Sequence, residues 1–283
     1  MAGAGGIVWL ASYPKSGNTW LRLLLANLLG AGDRPADINR MGLDSRPLAA
    51  RHEVEDLAPI DTTLLTPDEV DLLRPRVLEA VVAAETGRLF VKCHDAYRCN
   101  AAGEPVLGRG TGAAAVYVVR DPRDVAVSLA HHNGRSIDVT IAHMADERCT
   151  TSANGSRPTR QVPQLLSTWS GHVESWASQR DVPVHVLRYE DLLADPTGRF
   201  GAVAAFLGLA ATGEAIARAV RFADFSELQR QERRDGFSER LSWSTAPFFR
   251  SGRAGAWADV LTPAQAATIV ADHGPVMERF GYV

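Results

Sequence analysis

Cysteine is scarce in this chain: Cys93, Cys99 and Cys149 are the whole supply among 283 residues, and no two of them form a C-x-x-C pair. An odd count at such spacing supplies neither a disulfide framework nor a zinc site, so a reducing compartment and no bound metal are expected. Long apolar runs are missing as well. The opening stretch Ile7 to Ala11 is too short for a membrane span or a signal-peptide core, and no basic residue precedes it, which points to a cytoplasmic protein with no membrane partner. An excess of positive charge is also absent, since the formal net charge is -3. A broad basic surface for nucleic acid is thereby excluded, and any anion site has to be local. No linker and no internal repeat interrupts the sequence, so one domain over residues 1–283 is expected. The 46% hydrophobic content is enough to bury a sizeable core.

What is present alternates between short apolar runs and amphipathic stretches. Ile7 to Ala11, Leu89 to Lys92, Val116 to Val119 and Val184 to Tyr189 read as buried strands, being short and rich in β-branched or aromatic residues. Thr19 to Leu29, a stretch beginning near Thr66, the segment after Asp121-Pro122, Gln164 to Ser178, Phe200 to Leu207, Ala215 to Val220 and the residues after Pro263 read as helices, from apolar periodicity and start signals. Gly30 to Pro67 reads as largely irregular, Gly134 to Pro163 as a candidate mobile lid, and Pro247 to Trp257 as loop. The expected architecture is α/β, a parallel sheet flanked by helices.

In such sheets ligands bind where strands end and helices begin, because the first N–H groups of a helix are unpaired and favour anions. The first such junction reads Tyr13-Pro14-Lys15-Ser16-Gly17-Asn18-Thr19-Trp20. Gly17 permits close backbone approach, Lys15 supplies a cation, and Ser16, Asn18 and Thr19 supply polar donors, so the segment has the makings of a P-loop-like phosphate cradle. The Walker A spacing is absent, which weakens an ATPase or GTPase reading.

The segment closely matches the 5′-phosphosulfate loop of cytosolic-type sulfotransferases, the family that uses 3′-phosphoadenosine 5′-phosphosulfate (PAPS) and releases adenosine 3′,5′-bisphosphate (PAP). Val118 to Ser128, with Arg120 and Ser128, is similar to the family's 3′-phosphate segment. Arg188 to Leu192 resembles its YEDL block, and Phe249 to Trp257 its R-K-G-x-x-G-x-W tail. The resemblance implies that Lys15, Ser16, Gly17, Asn18 and Thr19 hold the phosphosulfate and that Arg120, Ser128, Arg250, Ser251 and Gly252 surround the 3′-phosphate. It also implies that Trp20 and Phe225 sandwich adenine and that Tyr189 edges it. Ser251 stands where the family has Lys, with Arg253 the nearby cation, and Asp224 stands where Ser is common. Lys92-Cys93-His94 matches the family's K-x-H, which makes His94 the expected base for an acceptor hydroxyl, with Lys92 and Lys15 offsetting charge and Asp95 the nearest substitute base. An imidazole titrates near neutrality and suits the role. The partner implied is a small hydroxylated acceptor: a phenol, alcohol, sugar or natural-product scaffold. High Ala, Arg and Gly usage resembles that of GC-rich bacterial genomes, and secondary metabolism is the setting expected by analogy. The rival readings are a nucleotide-dependent kinase, disfavoured by the missing Walker A spacing and the lack of an evident magnesium carboxylate, and a non-catalytic binding module, disfavoured by the intact Lys15, Lys92 and His94. Oligomeric state is not legible in the sequence.

Overall fold

The computed structural model describes residues 5–30, 32–41, 43, 48–151, 160–241 and 246–283. In chain order the elements are β1 (Gly6–Ser12), α1 (Asn18–Leu29), α2 (Arg51–Leu57), α3 (Pro67–Ala84), β2 (Arg88–Cys93), β3 (Gly112–Val119), α4 (Pro122–Asn133), α5 (Ile137–Met144), β4 (Thr150–Thr151) and β5 (Gln164–Leu165). They continue with α6 (Trp169–Ser178), β6 (Val184–Arg188), α7 (Tyr189–Ala194), α8 (Pro196–Phe206), α9 (Gly213–Phe222), α10 (Phe225–Asp235) and α11 (Pro263–Arg279). The main sheet has the order β2-β1-β3-β6, and β4 pairs with β5 apart from it. β1 and β2 run parallel, with Gly6 beside Arg88 and Ala11 beside Cys93. Every residue of β1 is buried, which is why Ile7 to Ala11 is a continuous apolar run instead of an alternating one.

The chain divides into two compact units. The first comprises Met1–Tyr13, Asp44–Tyr117 and Asp146–Val186, and so holds β1, β2, most of β3 and β6, and helices α2, α3 and α6. Its interior is aromatic: Tyr117, Trp169 and Trp176 are fully buried, and the Tyr117 ring stacks on Trp176 with centroids 6.1 Å apart. It also contains a buried ion cluster. Arg74 of α3 grips Asp95 through two hydrogen bonds of 3.0 and 2.6 Å and reaches Asp71 at 3.3 Å.

The second unit comprises Pro14–Leu43, Val118–Ala145 and Leu187–Val283. Its helices begin where the sequence provides caps. Asp121 accepts a hydrogen bond from the Arg123 N–H at the start of α4 with Pro122 in the first turn, and Thr262 with Gln265 forms a capping box on α11, satisfying N–H groups that have no partner inside the helix. Gly30 and Gly134 stand just past the ends of α1 and α4. The tail after Phe248 has no regular structure until residue 256, as expected, and side chains hold it in place. Glu232 accepts from the Phe248 and Phe249 N–H groups at 2.7 and 2.9 Å, and Asp124 accepts from those of Gly255 and Trp257 at 2.8 and 2.9 Å.

The structure departs from the sequence reading at several places. Gln164–Leu165 is a short strand and the following helix starts only at Trp169, capped by Thr168. Tyr189 opens α7 instead of closing β6. The helix starting at Thr66 runs 18 residues through Pro75, a residue whose missing N–H and bulky ring would ordinarily stop it. Helices α2, α5, α7 and α10 are additional. The proposed lid Gly134 to Pro163 contains α5, capped by Ser136; residues 152–159 of it lie outside the described residues, as do 31, 42, 44–47 and 242–245 of the loops flanking the expected site.

Candidate active site

The loop between β1 and α1 has an unusual backbone for a reason visible in its neighbours. Lys15 adopts φ +69° and Gly17 φ +108°, a region where a Cβ is strained. At Gly17 a Cβ would also lie 2.7 Å from Cδ2 of Tyr189, so glycine is required by both the turn and the ring beside it. Gly17 is the N-cap of α1, no side chain caps that helix, and its first turn contains no acidic residue. The helix N-terminus therefore keeps its partial positive charge for a ligand. Ser16 is fully buried, and its Oγ has no hydrogen-bond partner among the described residues. A buried hydroxyl left without a partner is costly. A buried donor beside a helix N-terminus is the chemistry an anion needs, and these residues fit a phosphosulfate group.

Around this loop the second unit gathers most of the residues singled out above. Trp20 donates its indole N–H to the Ala223 carbonyl at 3.0 Å and meets Tyr189 edge to face at 5.8 Å. The Lys15 ammonium lies 3.7 Å from the Phe248 ring centroid. Arg120 lies over the Tyr189 ring at 4.3 Å and donates to the Lys15 carbonyl at 3.2 Å and to the Arg253 carbonyl at 3.0 Å, with Asp124 3.7 Å away. It is thus a strut between the loop, the tail and α4 as well as a cation; its Nε is buried without a partner among the described residues. Gly252 has φ +60°, and a Cβ there would fall 2.6 Å from Cδ2 of Phe225, which places the Phe225 ring directly over the tail backbone. Asp224 accepts from the Ser226 N–H at 2.9 Å as the N-cap of α10, a task Ser performs equally well, which accounts for the acidic residue at that position.

The cationic tail is more dispersed. Arg250 is exposed, and it lies near enough to the last turn of α4 that, after burial, its charge is the second cause holding the His131 pKa below the usual imidazole range. Ser128, half-buried, is on the same helix three residues earlier. Ser251 is half-buried, and Arg253 directs its guanidinium to Asp259 at 2.8 Å, an exposed pair. Sequence reasoning missed Glu239, whose carboxylate binds Arg22 and reaches the Thr19 hydroxyl at 3.5 Å. No local pattern announces a contact across that separation.

In the first unit Lys92 and His94 stand at the end of β2. His94 is held on three sides: its Nδ1 is 2.8 Å from the Ser12 carbonyl, its N–H donates to Gln164 Oε1 at 3.3 Å, and its carbonyl accepts from Nε2 of His172 at 3.1 Å. A carbonyl oxygen only accepts, so Nδ1 of His94 carries hydrogen and Nε2 of the neutral ring is left with its lone pair. Asp95 does not serve as a substitute base. It is 1% exposed and both its oxygens accept from Arg74, so neither is presented to an acceptor hydroxyl.

A family model described as "Sulfotransferase domain" matches residues 110–281, more than half of the chain. The chain belongs to the sulfotransferase family. Among curated sulfotransferases, cytosolic sulfotransferase 17 of Arabidopsis thaliana is 26% identical over 96% of this chain and 73% of its own length. Sulfotransferase 1B1 of Mus musculus is 24% identical over 92% of this chain and 79% of its own. Among solved structures, retinol dehydratase in complex with androsterone and inactive cofactor PAP superposes with a TM-score of 0.64 at 24% identity, over 98% of this chain and 81% of that one. A mouse sulfotransferase complexed with PAP gives 0.60 at 19% identity, over 96% and 84%. These likenesses show the sulfotransferase's fold, an α/β arrangement with a central parallel sheet flanked by helices. No described helix of the sulfotransferase is long and apolar enough to cross a membrane, and no group of metal-binding side chains occurs among the described residues.

Proposed function

We propose that this sulfotransferase moves the sulfuryl group of PAPS to the hydroxyl of a small acceptor by direct in-line transfer. The observation that carries the reading is the cradle at Ser16 and Gly17: a left-handed backbone pressed against Tyr189, a buried hydroxyl without a partner among the described residues and a helix start that no side chain caps. In this reading Lys15 with Ser16 to Thr19 holds the phosphosulfate, and Arg120, Ser128, Arg250, Ser251 and Gly252 attend the 3′-phosphate. Trp20, Phe225 and Tyr189 contact adenine. The two units together make one sulfotransferase domain over residues 1–283.

His94 acts as the base. Its Nε2 takes the acceptor proton as the acceptor oxygen bonds to sulfur and the bond from sulfur to the 5′-phosphate oxygen breaks. The resulting imidazolium still donates from Nδ1 to the Ser12 carbonyl, which supports the positive charge. Lys92 and Lys15 offset the negative charge gathering on the transferring and leaving oxygens. Neither a metal nor a covalent intermediate is invoked, because positioning and electrostatics suffice for a loose group-transfer transition state. Support for the co-substrate comes from relatives crystallised with PAP. A hydroxylated small acceptor is supported by retinol dehydratase structures holding androsterone or retinol and by the relative named flavonol 3-sulfotransferase.

The reading is tested by incubating the protein with PAPS labelled in the sulfuryl group and a panel of phenols, alcohols and sugars, with thermal unfolding run alongside. Transfer of label to an acceptor, and stabilisation by PAP in the absence of magnesium, is the expected result. Stabilisation only by ATP with magnesium would assign the loop to phosphoryl transfer.

A further inference from the structure

We propose that Tyr117 and His172 are positioning residues for His94, closing a hydrogen-bond circuit that fixes the tautomer and direction of its imidazole. The proposal rests on the reading of His94 as the base.

The circuit lies within the first unit. The Ser12 carbonyl accepts from His94 Nδ1 at 2.8 Å. The N–H of the same peptide group, belonging to Tyr13, faces the Tyr117 hydroxyl and works against the larger rise in its pKa that burial causes. The His94 carbonyl can only accept from His172 Nε2, 3.1 Å away, so Nδ1 of the neutral ring keeps its lone pair and the Tyr117 hydroxyl, 2.8 Å away, sends its hydrogen there. The path begins and ends on His94, and each polarity is fixed by the next, since carbonyls cannot donate and peptide N–H groups cannot accept. With both rings neutral, one assignment of hydrogens satisfies these bonds, and it leaves His94 Nε2 with its lone pair.

The surroundings make the circuit rigid. Tyr117 and His172 are fully buried and Tyr13 is 1% exposed. The edge of the Tyr13 ring meets His172 at 5.4 Å, and Tyr117 stacks on Trp176. His172 and Trp176 stand one turn apart on α6, where side chains share a face. They donate to consecutive carbonyls, those of His94 and Asp95, with Trp176 Nε1 at 2.8 Å. Burial holds the His172 pKa down to about 4, so the ring stays neutral around pH 7 and keeps one donor and one acceptor. A core histidine needed only for packing has no reason to point both nitrogens into the backbone and hydroxyl groups that fix a second histidine.

The test compares the parent with Tyr117→Phe, His172→Gln and His172→Phe, reading His94 by two-bond proton–nitrogen NMR and measuring kcat, acceptor KM and PAP affinity. In the parent, His94 shows a single neutral tautomer protonated at Nδ1. Tyr117→Phe keeps the ring volume but frees both the Tyr13 N–H and His172 Nδ1. It is expected to give mixed His94 tautomers and a kcat lower by about tenfold or more, wrong tautomers being costly in comparable sites, while PAP affinity stays within about twofold. His172→Gln retains a donor for the His94 carbonyl and should keep more turnover than His172→Phe. A single Nδ1–H tautomer with parent kcat in folded Tyr117→Phe would overturn the proposal, and if that variant does not fold, equal kcat and tautomer ratio in His172→Gln, His172→Phe and parent would do so. Failure of the base reading is recognised separately, by parent-like turnover in His94→Ala, because the NMR readout does not depend on catalysis.

Discussion

Replacing Gly17 by Ala tests the phosphosulfate cradle at its tightest point. Two penalties apply. The backbone is at φ +108°, where a residue with a Cβ pays about 1–2 kcal/mol. The new methyl also lies 2.7 Å from Tyr189 Cδ2. That ring cannot withdraw easily, since Arg120 covers one face at 4.3 Å and the Trp20 ring meets it at 5.8 Å; overpacking of this kind adds about 1–3 kcal/mol. The sum is about 3 kcal/mol. If the loop holds its shape, the cost appears as reduced unfolding free energy. If it relaxes in the free protein and has to be restored on binding, the same cost appears as weaker PAP affinity, about 150-fold. Urea unfolding and calorimetry measure the two shares. A cycle with Tyr189→Ala separates the causes: in that background Gly17→Ala should cost only the backbone share, about 1–2 kcal/mol. If Gly17→Ala changed unfolding free energy by less than about 0.5 kcal/mol and left PAP affinity intact, the geometric argument for the cradle would fail.

Lys15→Ala and Arg120→Ala should each weaken PAP binding, but only Arg120→Ala should also lower stability clearly, because its guanidinium supports the Lys15 and Arg253 carbonyls; equal melting temperatures for the two variants would refute the strut. His94→Ala should lose about 10²–10⁴-fold in kcat on aliphatic alcohols and progressively less on more acidic phenols, whose protons need little help to leave, with PAP affinity unchanged; parent-like turnover on the least acidic acceptors would remove His94 from the base role. His172 makes stability depend on pH. Burial holds its folded pKa at about 4, below the ordinary imidazole value of 6.5, so below pH 6.5 the unfolded chain takes up a proton that the folded chain refuses. Stability is intact above that value and falls as pH drops towards 4, by about 3 kcal/mol in total. His172→Gln should flatten this part of the profile in urea titrations at graded pH, and an unchanged slope would show that another group is responsible.

The sequence exposes what is local. The apolar run of β1, the Leu-rich α1 ending before Gly30, the Asp121-Pro122 start of α4 and the turn from Tyr13 to Gly17 between β1 and α1 all follow from neighbouring residues, and all are found where expected. Missed features depend on distant partners. Glu232 and Asp124 hold the tail through hydrogen bonds spanning 16 and 131 residues, and nothing near either residue signals that use. Helix α10 carries so many charges that an apolar stripe is hard to see, yet Gln231 and Glu232 within it are buried against partners from elsewhere in its unit. Pro75 and Pro275 lie inside helices because flanking capping boxes and burial outweigh one lost hydrogen bond. Within the site, residue types were legible but their division of labour was not. Arg120 reads in the sequence as a ligand cation, whereas the structure shows it bracketing the Lys15 and Arg253 carbonyls; Asp95 looked like a spare base and is bound to Arg74, and His172 carried no motif at all.

The most direct test of the account is calorimetric titration of the parent protein with PAP in magnesium-free buffer, set beside ADP and magnesium ATP under matched conditions. The account predicts saturable binding of PAP without the metal and much weaker binding of ADP, which lacks the 3′-phosphate. Binding of magnesium ATP in preference to PAP, or no heat from PAP at all, would contradict it.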